Sequence, residues 1–315
     1  MHNPFKGHRP IMVQEIIALA LSHPKAIENR PMLVMDLTFG GGGHSKALLE
    51  NLPEGSVLMA FDQDPDVKKH TEVEYAEEIK EGKIYFTPAN FSSFSASLEE
   101  SPLKELVASF GGGVDLSLMD LGISSHQLDT AERGISFRRE GLLDMRMNYE
   151  SQGPTAADLV NDLPEKELAD LLFEYGEETL SRRIAANICA KRKEKRLETT
   201  SDLEEIVFTS YPAKFRHGRT HPATKTFQAL RIAVNGELEV LTQVLDPLLL
   251  AMAPKGLLMA ISFHSLEDRI VKHKFKFWKI NSQGTILTKR PLTSGKEELQ
   301  ENPRARSAKL RVFQK

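Results

Sequence analysis

The chain has 315 residues, 40% of them hydrophobic and 27% charged, with a formal net charge of −3. This is the composition of a globular protein with room for one large α/β domain and a second unit. The slightly acidic balance excludes an all-round nucleic-acid-binding surface, so any RNA contact has to come from local basic patches.

The first six residues lack an apolar h-region, so no secretory signal is expected. His8 and Arg9 read as the solvated entrance of a helix over residues 13–21, whose apolar spacing suits packing on a core. Residues 33–45 form the stretch around which the rest is organised. A short apolar run reads as a buried strand, four glycines (40–43) interrupt it, and residues 46–50 suit a helix. Strand, glycine turn and helix bring backbone N–H groups close to a ligand. A flexible hairpin or linker turn is the plainer alternative.

The turn is no dinucleotide fingerprint, because the third position is Gly42 but the sixth is Ser45. A Gly-Lys-Ser/Thr phosphate loop is absent as well. Asp36, inside the motif, would repel a phosphate and attract a cationic amino-acid end. The next strand, residues 57–61, runs into Asp62, 22 positions after Gly40 and near the ~20 expected of a carboxylate on ribose hydroxyls. Together these features favour S-adenosylmethionine, with a nicotinamide dinucleotide as runner-up.

Pro65 opens a polar helix rich in Lys and Glu, read as an exposed layer. Residues 83–87 read as a third strand, followed by Phe91, which suits either an adenine stack or an ordinary core. A fourth strand over 114–119 ends at Asp120, with Gln127 just beyond. Ligands of open α/β sheets sit at such strand ends; a turn cap is the plainer use of Asp120.

After Asp129 the composition changes, and from 155 to 211 the pattern is helical throughout. Thr155 with Asp158, and Ser201 with Glu204, resemble capping boxes. Pro164 suits a first helical position and Gly176 a stop. A helix over 177–193 carries Leu180, Ile184 and Ile188 on one face and ends in a basic run, 191–196. That run is a solvated helix end or a phosphate-contacting patch. Cys189 lies on this helix; as the chain's single cysteine it excludes an intrachain disulfide, fits a reducing cytoplasm and reads as a small core residue. Residues 130–215 therefore read as an all-helical domain inserted into an α/β unit made of 1–129 and 216–315.

From His221 a long helix is expected. Phe227, Leu230, Val234, Leu238, Leu241 and Leu245 form its buried stripe. Lys225, Gln228, Arg231 and Asn235 form a second, polar stripe that mixes amides with cations, a composition suited to base edges and phosphates. Pro247 restarts the helix. The longest apolar region, 248–263, is broken by Pro254 and Lys255 and is no membrane span; within it, 256–261 reads as a fifth strand. Ser265 with Asp268 suits a helix cap. Residues 285–292 and 309–313 suit two closing strands around a basic loop holding Arg304 and Arg306.

These blocks carry a likeness over nearly the whole chain. They are His8 with Pro10; Asp36, Thr38 and the glycines through Ser45; Asp62, Asp64 and Pro65; 120–129; Arg133 to Phe137; 143–147; 221–235; 261–269; and 302–307. In this order they resemble the MraW/RsmH family, S-adenosylmethionine-dependent methyltransferases of N4 of a cytosine in bacterial small-subunit ribosomal RNA. His126 departs from the proline usual there, and the region before Asn302 is shorter than in many relatives. The resemblance implies a Rossmann-like class I methyltransferase sheet with an inserted helical domain that recognises RNA. It also implies cofactor contacts from Gly42, Gly43, His44, Asp62, Phe91, Asp120 and Gln127.

The expected reaction is methylation of 16S ribosomal RNA, in the small ribosomal subunit or its precursor, in the cytoplasm and away from membranes; a homodimer is left open. Asp120 is the candidate acceptor of the cytosine amino proton, with Asn235 and His264 orienting the base. Lys225, Gln228, Arg231, Arg304 and Arg306 are the candidate RNA contacts, and no metal is expected. Two other classes stay open: a nicotinamide-dependent oxidoreductase, and an assembly factor that kept the pocket without the chemistry.

Overall fold

The computed structural model describes residue 5, residues 9–218 and residues 220–315. His8, read above as part of a helix entrance, lies outside them. The chain divides into two compact units, Met1–Gly122 with Leu238–Lys315, and Ile123–Glu237.

The first unit is built on seven strands: β1 (Leu33–Asp36), β2 (Val57–Phe61), β3 (Ile84–Thr87), β4 (Val114–Asp120), β5 (Met252–Ser262), β6 (Thr285–Ile286) and β7 (Lys309–Gln314). Their order is β3-β2-β1-β4-β5-β7-β6. The first five run parallel, and β7 lies antiparallel between β5 and β6. This is the Rossmann-like α/β sheet expected.

Side chains alternate between its two faces, as strand geometry requires. Val34, Leu58, Leu116 and Met259 join one core with Ile16 and Leu48, from the helices Val13–Leu21 and Gly43–Asn51. Leu33, Met35, Met59 and Leu258 join another with Leu241 and Leu245 from the helix Glu237–Ala251, and with Phe275 and Trp278 from the helix Ser265–Ile280. Covering both faces is what makes the strands near-continuous apolar runs.

The second unit includes the helices Ala156–Asp162, Glu165–Gly176, Ser181–Lys191 and Thr200–Ser210, and also Ala223–Asn235. It therefore begins before residue 130 and runs past 215. The reason is Phe227, Ala229 and Leu230, which join Val160, Leu172, Ile184, Ile188 and Val207 in one core. Cys189 is buried in this unit, as expected.

Five local expectations are corrected. The long helix from His221 is two helices: Gly236 takes φ 58° and ends the first, and Glu237 opens the second. Glycine tolerates that left-handed conformation without penalty. The single apolar stripe accordingly serves two cores. Pro247 lies inside the second helix instead of restarting it. Thr199 caps the helix Thr200–Ser210 in a box with Asp202, since Ser201 is already inside the helix. The helix expected over 177–193 starts only at Ser181, because Glu177 turns left-handed at φ 48°. The strand expected over 285–292 shrinks to β6 and a single bridge at Leu292. The Thr155–Asp158 capping box is present.

Candidate active site

Three acids sit at the carboxyl ends of β1, β2 and β4. Parallel register places them at one edge: Asp36 pairs with Ala60 and Leu118, so Asp62 and Asp120 each lie two residues further along. Asp36 is 1% exposed. Its Oδ1 accepts the Thr38 N–H at 3.0 Å and its Oδ2 accepts the Ser45 hydroxyl at 2.6 Å. Burial raises its pKa, and these donors hold it back. Both Asp36 oxygens thus serve the glycine turn itself. Thr38 Oγ1 in turn accepts the Asp120 N–H at 2.7 Å, tying the turn to the end of β4.

The turn closes through Gly42, the cap of the helix Gly43–Asn51, at φ 75°. A Cβ on Gly42 would sit 2.3 Å from Tyr75 Oη and 2.7 Å from Phe39 Cζ. Tyr75 donates its hydroxyl to the Gly41 carbonyl at 3.0 Å, and its partial burial lifts its pKa to about 12. Sequence reading missed Tyr75, having placed the whole helix after Pro65 in an exposed layer. The signal was there: Val67, Thr71 and Tyr75, four apart, are all buried.

Asp62 binds the turn from the other side. Its Oδ2 accepts the Gly40 N–H at 2.8 Å and its Oδ1 the Asp64 N–H at 2.9 Å. Each oxygen keeps a second lone pair for a hydroxyl donor. Burial pushes its pKa up to about 6 against these two amides, helped by the charges of Asp64 and Asp36. Phe91 opens a short turn beyond β3, half-buried on the core that holds Phe61 and Phe94.

His44 and Asp120 face each other at this edge. His44 is 7% exposed, and its Nε2 lies 2.8 Å from the Ile11 carbonyl oxygen. A carbonyl only accepts, so Nε2 carries a proton. Nδ1 faces Asp120 Oδ2 at 3.7 Å, too far for a hydrogen bond but within ion-pair range. Asp120 Oδ1 is buried without a hydrogen-bond partner. Burial lifts the Asp120 carboxyl to about 6; His44 opposes the rise, and Asp36 and Glu267 add to it. At neutral pH this is a charged acceptor with one oxygen unsatisfied, the arrangement that an incoming N–H, hydroxyl or cation would complete.

Other expected site residues are committed elsewhere. His264 caps the helix Ser265–Ile280, its ring accepting the Glu267 N–H while Glu267 Oε2 accepts the Phe263 N–H at 2.9 Å. Its Nε2 is 3.1 Å from Glu267 Oε1, at an angle that makes no hydrogen bond. The ring caps the helix through Nδ1, in place of the expected Ser265–Asp268 cap, while its buried Nε2 has no hydrogen-bond partner. Asn235 is likewise a backbone clamp: Oδ1 accepts the Met147 N–H at 2.7 Å, and Nδ2 donates to the carbonyls of Met145 and Arg231. Gln127 belongs to the second unit, where it closes a capping box with Ser124.

The polar stripe is no solvent face. Arg231, 9% exposed, forms a bidentate pair with Glu237 at 2.8 and 2.9 Å, and Gln228 donates to the Tyr175 carbonyl. These internal bonds correct the RNA-contact reading of Arg231 and Gln228. Lys225 donates to the Glu177 carbonyl but keeps an exposed ammonium. Arg304 and Arg306 are both exposed on the short turn Pro303–Ser307.

A family model described as the MraW methylase family matches residues 6–315. A Nostoc sp. protein named ribosomal RNA small subunit methyltransferase H is 42% identical, over 100% of this chain and 95% of that one. A relative of the same name from Heliobacterium mobile is 41% identical over 98% of each chain. A solved rRNA methylase from Streptococcus thermophilus aligns over 98% of both chains at 9% identity, with a TM-score of 0.41, too weak a likeness to argue from. Matched from residue 6 to its last residue, and more than 40% identical to relatives over 95–98% of their length, the chain belongs to the MraW methylase family.

Proposed function

We propose that this chain transfers a methyl group from S-adenosylmethionine to the exocyclic N4 of a cytosine in 16S ribosomal RNA, in the small ribosomal subunit or its precursor. The observation that carries this reading is the buried, unpartnered Oδ1 of Asp120 at the carboxyl end of β4. The family membership and the relatives named ribosomal RNA small subunit methyltransferase H support the substrate class. Among the described residues no helix is long and apolar enough to cross a membrane, and the proposed setting is the cytoplasm.

The residues fit the cofactor. Asp62 has lone pairs left for two ribose hydroxyls, Phe91 offers a half-buried ring for an adenine, and Gly42, Gly43 and His44 open the helix after the turn. No phosphate has to be accommodated beside Asp36, Asp62 and Asp120. When bound, S-adenosylmethionine supplies a methyl group made electrophilic by its sulfonium.

The amino nitrogen of cytosine is a poor nucleophile because its lone pair is delocalised into the ring. Asp120 Oδ1 accepts a hydrogen bond from that amino group, returning electron density to nitrogen, and then takes the proton released as the new bond forms. A carboxyl whose pKa is about 6 is ionised at neutral pH yet basic enough for this work. His44, fixed by the Ile11 carbonyl, lies beside the other carboxylate oxygen, its Nδ1 3.7 Å away. Positioning contributes several kcal/mol, on the order of what well-oriented neighbours supply. The base has to be unpaired or extruded to reach such a site.

Calorimetric titration with S-adenosylmethionine and with a nicotinamide dinucleotide tests the cofactor, and binding of the dinucleotide alone would overturn the reading. Mass mapping of ribosomal RNA from cells lacking the protein tests the reaction: one cytosine should lose one methyl group, and an unchanged methylation map would refute it.

A further inference from the structure

Two basic runs of the second unit differ in what surrounds them. In the first, over 191–196, Lys191 pairs with Glu194, Lys195 with Asp202, and Arg196 with both Asp158 and Asp162. Arg192 donates to the Val160 carbonyl. This run, one candidate for phosphate contact, has most of its charge matched within the unit.

The second run, Lys214 to His217, is built the other way. It leaves the helix Thr200–Ser210 through a single turn, Ala213–Phe215. Beneath it lies a ladder of rings: Phe137 stacks on His221 at 4.6 Å, and His221 stacks on Phe208 at 5.8 Å. The Arg216 guanidinium rests over Phe208, 5.4 Å from its centroid, and donates to the carbonyls of Thr209 and Tyr211 at the end of that helix. The turn is thereby held on a rigid base. Above it, Phe215 is 56% exposed, with Lys214 Nζ 4.8 Å from its ring centroid. Lys214 and His217 are exposed, and among the described residues neither has a carboxylate within ion-pair distance.

An exposed aromatic ring beside an unmatched ammonium and an imidazole is an arrangement that binds single-stranded nucleic acid, through base stacking and contacts to phosphate. We propose that the Ala213–Phe215 turn is a stacking platform for an unpaired base of the RNA substrate, with Lys214 and His217 on the flanking phosphates. This rests on the reading of the protein as an RNA methyltransferase and names where that RNA is gripped.

The test uses the full chain and a fluorescein-labelled single-stranded RNA oligonucleotide, followed by fluorescence anisotropy at several salt concentrations. Phe215→Ala should weaken binding roughly 5- to 150-fold, the worth of one stacked base. Phe215→Trp should restore it, and the thermal melt should not move, because the ring is exposed. Lys214→Gln should flatten the log–log salt slope by about 0.7, one phosphate contact on a single strand. RNA affinity unchanged in Phe215→Ala, or no recovery in Phe215→Trp, overturns the platform while methyl transfer by the wild type leaves the proposed function standing. A wild-type chain that neither binds nor methylates RNA would take down the proposed function and the platform with it.

Discussion

Asp120→Asn should make the protein more stable and nearly inactive. The carboxyl is raised from 3.8 to about 6 on folding, with burial as the main cause. Ionising it in the folded state therefore costs about 3 kcal/mol, at about 1.36 kcal/mol per pKa unit. A raised acid binds its proton more tightly when folded, so stability falls as pH rises from about 4 to about 6, and the full cost is present above that range. The amide removes the charge at nearly constant shape. The variant should gain up to about 3 kcal/mol at pH 8, or on the order of 6–12 °C in melting temperature, and the gain should shrink to about 1 kcal/mol near pH 4.5. Methyl transfer should fall by about 10²- to 10⁴-fold, the usual worth of a proton acceptor. Circular-dichroism melts at the two pH values and a tritiated-methyl assay read these effects. No stabilisation at pH 8, or an equal gain at both pH values, would refute the burial argument, and near-normal turnover would remove Asp120 from the chemistry.

Gly42→Ala should cost about 2–5 kcal/mol in urea unfolding, from the left-handed backbone and the 2.3 Å approach to Tyr75 Oη, and should weaken S-adenosylmethionine binding in parallel. Arg231→Ala strands Glu237, whose side chain is 10% exposed, and should lose about 3–5 kcal/mol; wild-type stability would reopen the RNA-contact reading of Arg231. Cofactor affinity should fall as pH drops through about 6, where Asp62 and Asp120 take up protons, by about tenfold per pH unit for each acid that has to be ionised. A calorimetric profile flat from pH 8 to pH 5 would contradict that linkage.

The sheet and the turn were legible because local chemistry decides them. Apolar runs closing on glycines or acids end strands, and the 22-residue spacing from Gly40 to Asp62 is realised as a direct hydrogen bond from the Gly40 N–H to that carboxylate. The expected ribose acid thus also fixes the loop it faces. Helix starts were less legible, because Thr199 with Asp202 and Ser201 with Glu204 satisfy the same capping pattern and only the backbone distinguishes them. The long helix from His221 misled for a related reason. Its apolar spacing continues across Gly236 without a break, yet Phe227 and Leu230 enter one core and Leu241 and Leu245 another. Periodicity reports which face is buried and says nothing about what buries it.

That limit explains the polar residues as well. An arginine, an amide or an imidazole that can read a base edge can equally well satisfy a backbone carbonyl, and spacing does not separate the two uses. Asn235 shows the difference in kind. Two of its three hydrogen bonds hold the 145–147 segment, in which Met145 is buried at φ 66°, a strained conformation for a side chain of that size, and the third goes to the Arg231 carbonyl of its own helix. A segment so strained persists only if something over-determines it, and a motif residue that supplies the constraint has no donor left for a substrate. Asp120 is the opposite case: its Oδ1 is buried, and no protein group answers it. Residue type marks both as candidates, and only the hydrogen-bond account, group by group, tells the clamp from the acceptor.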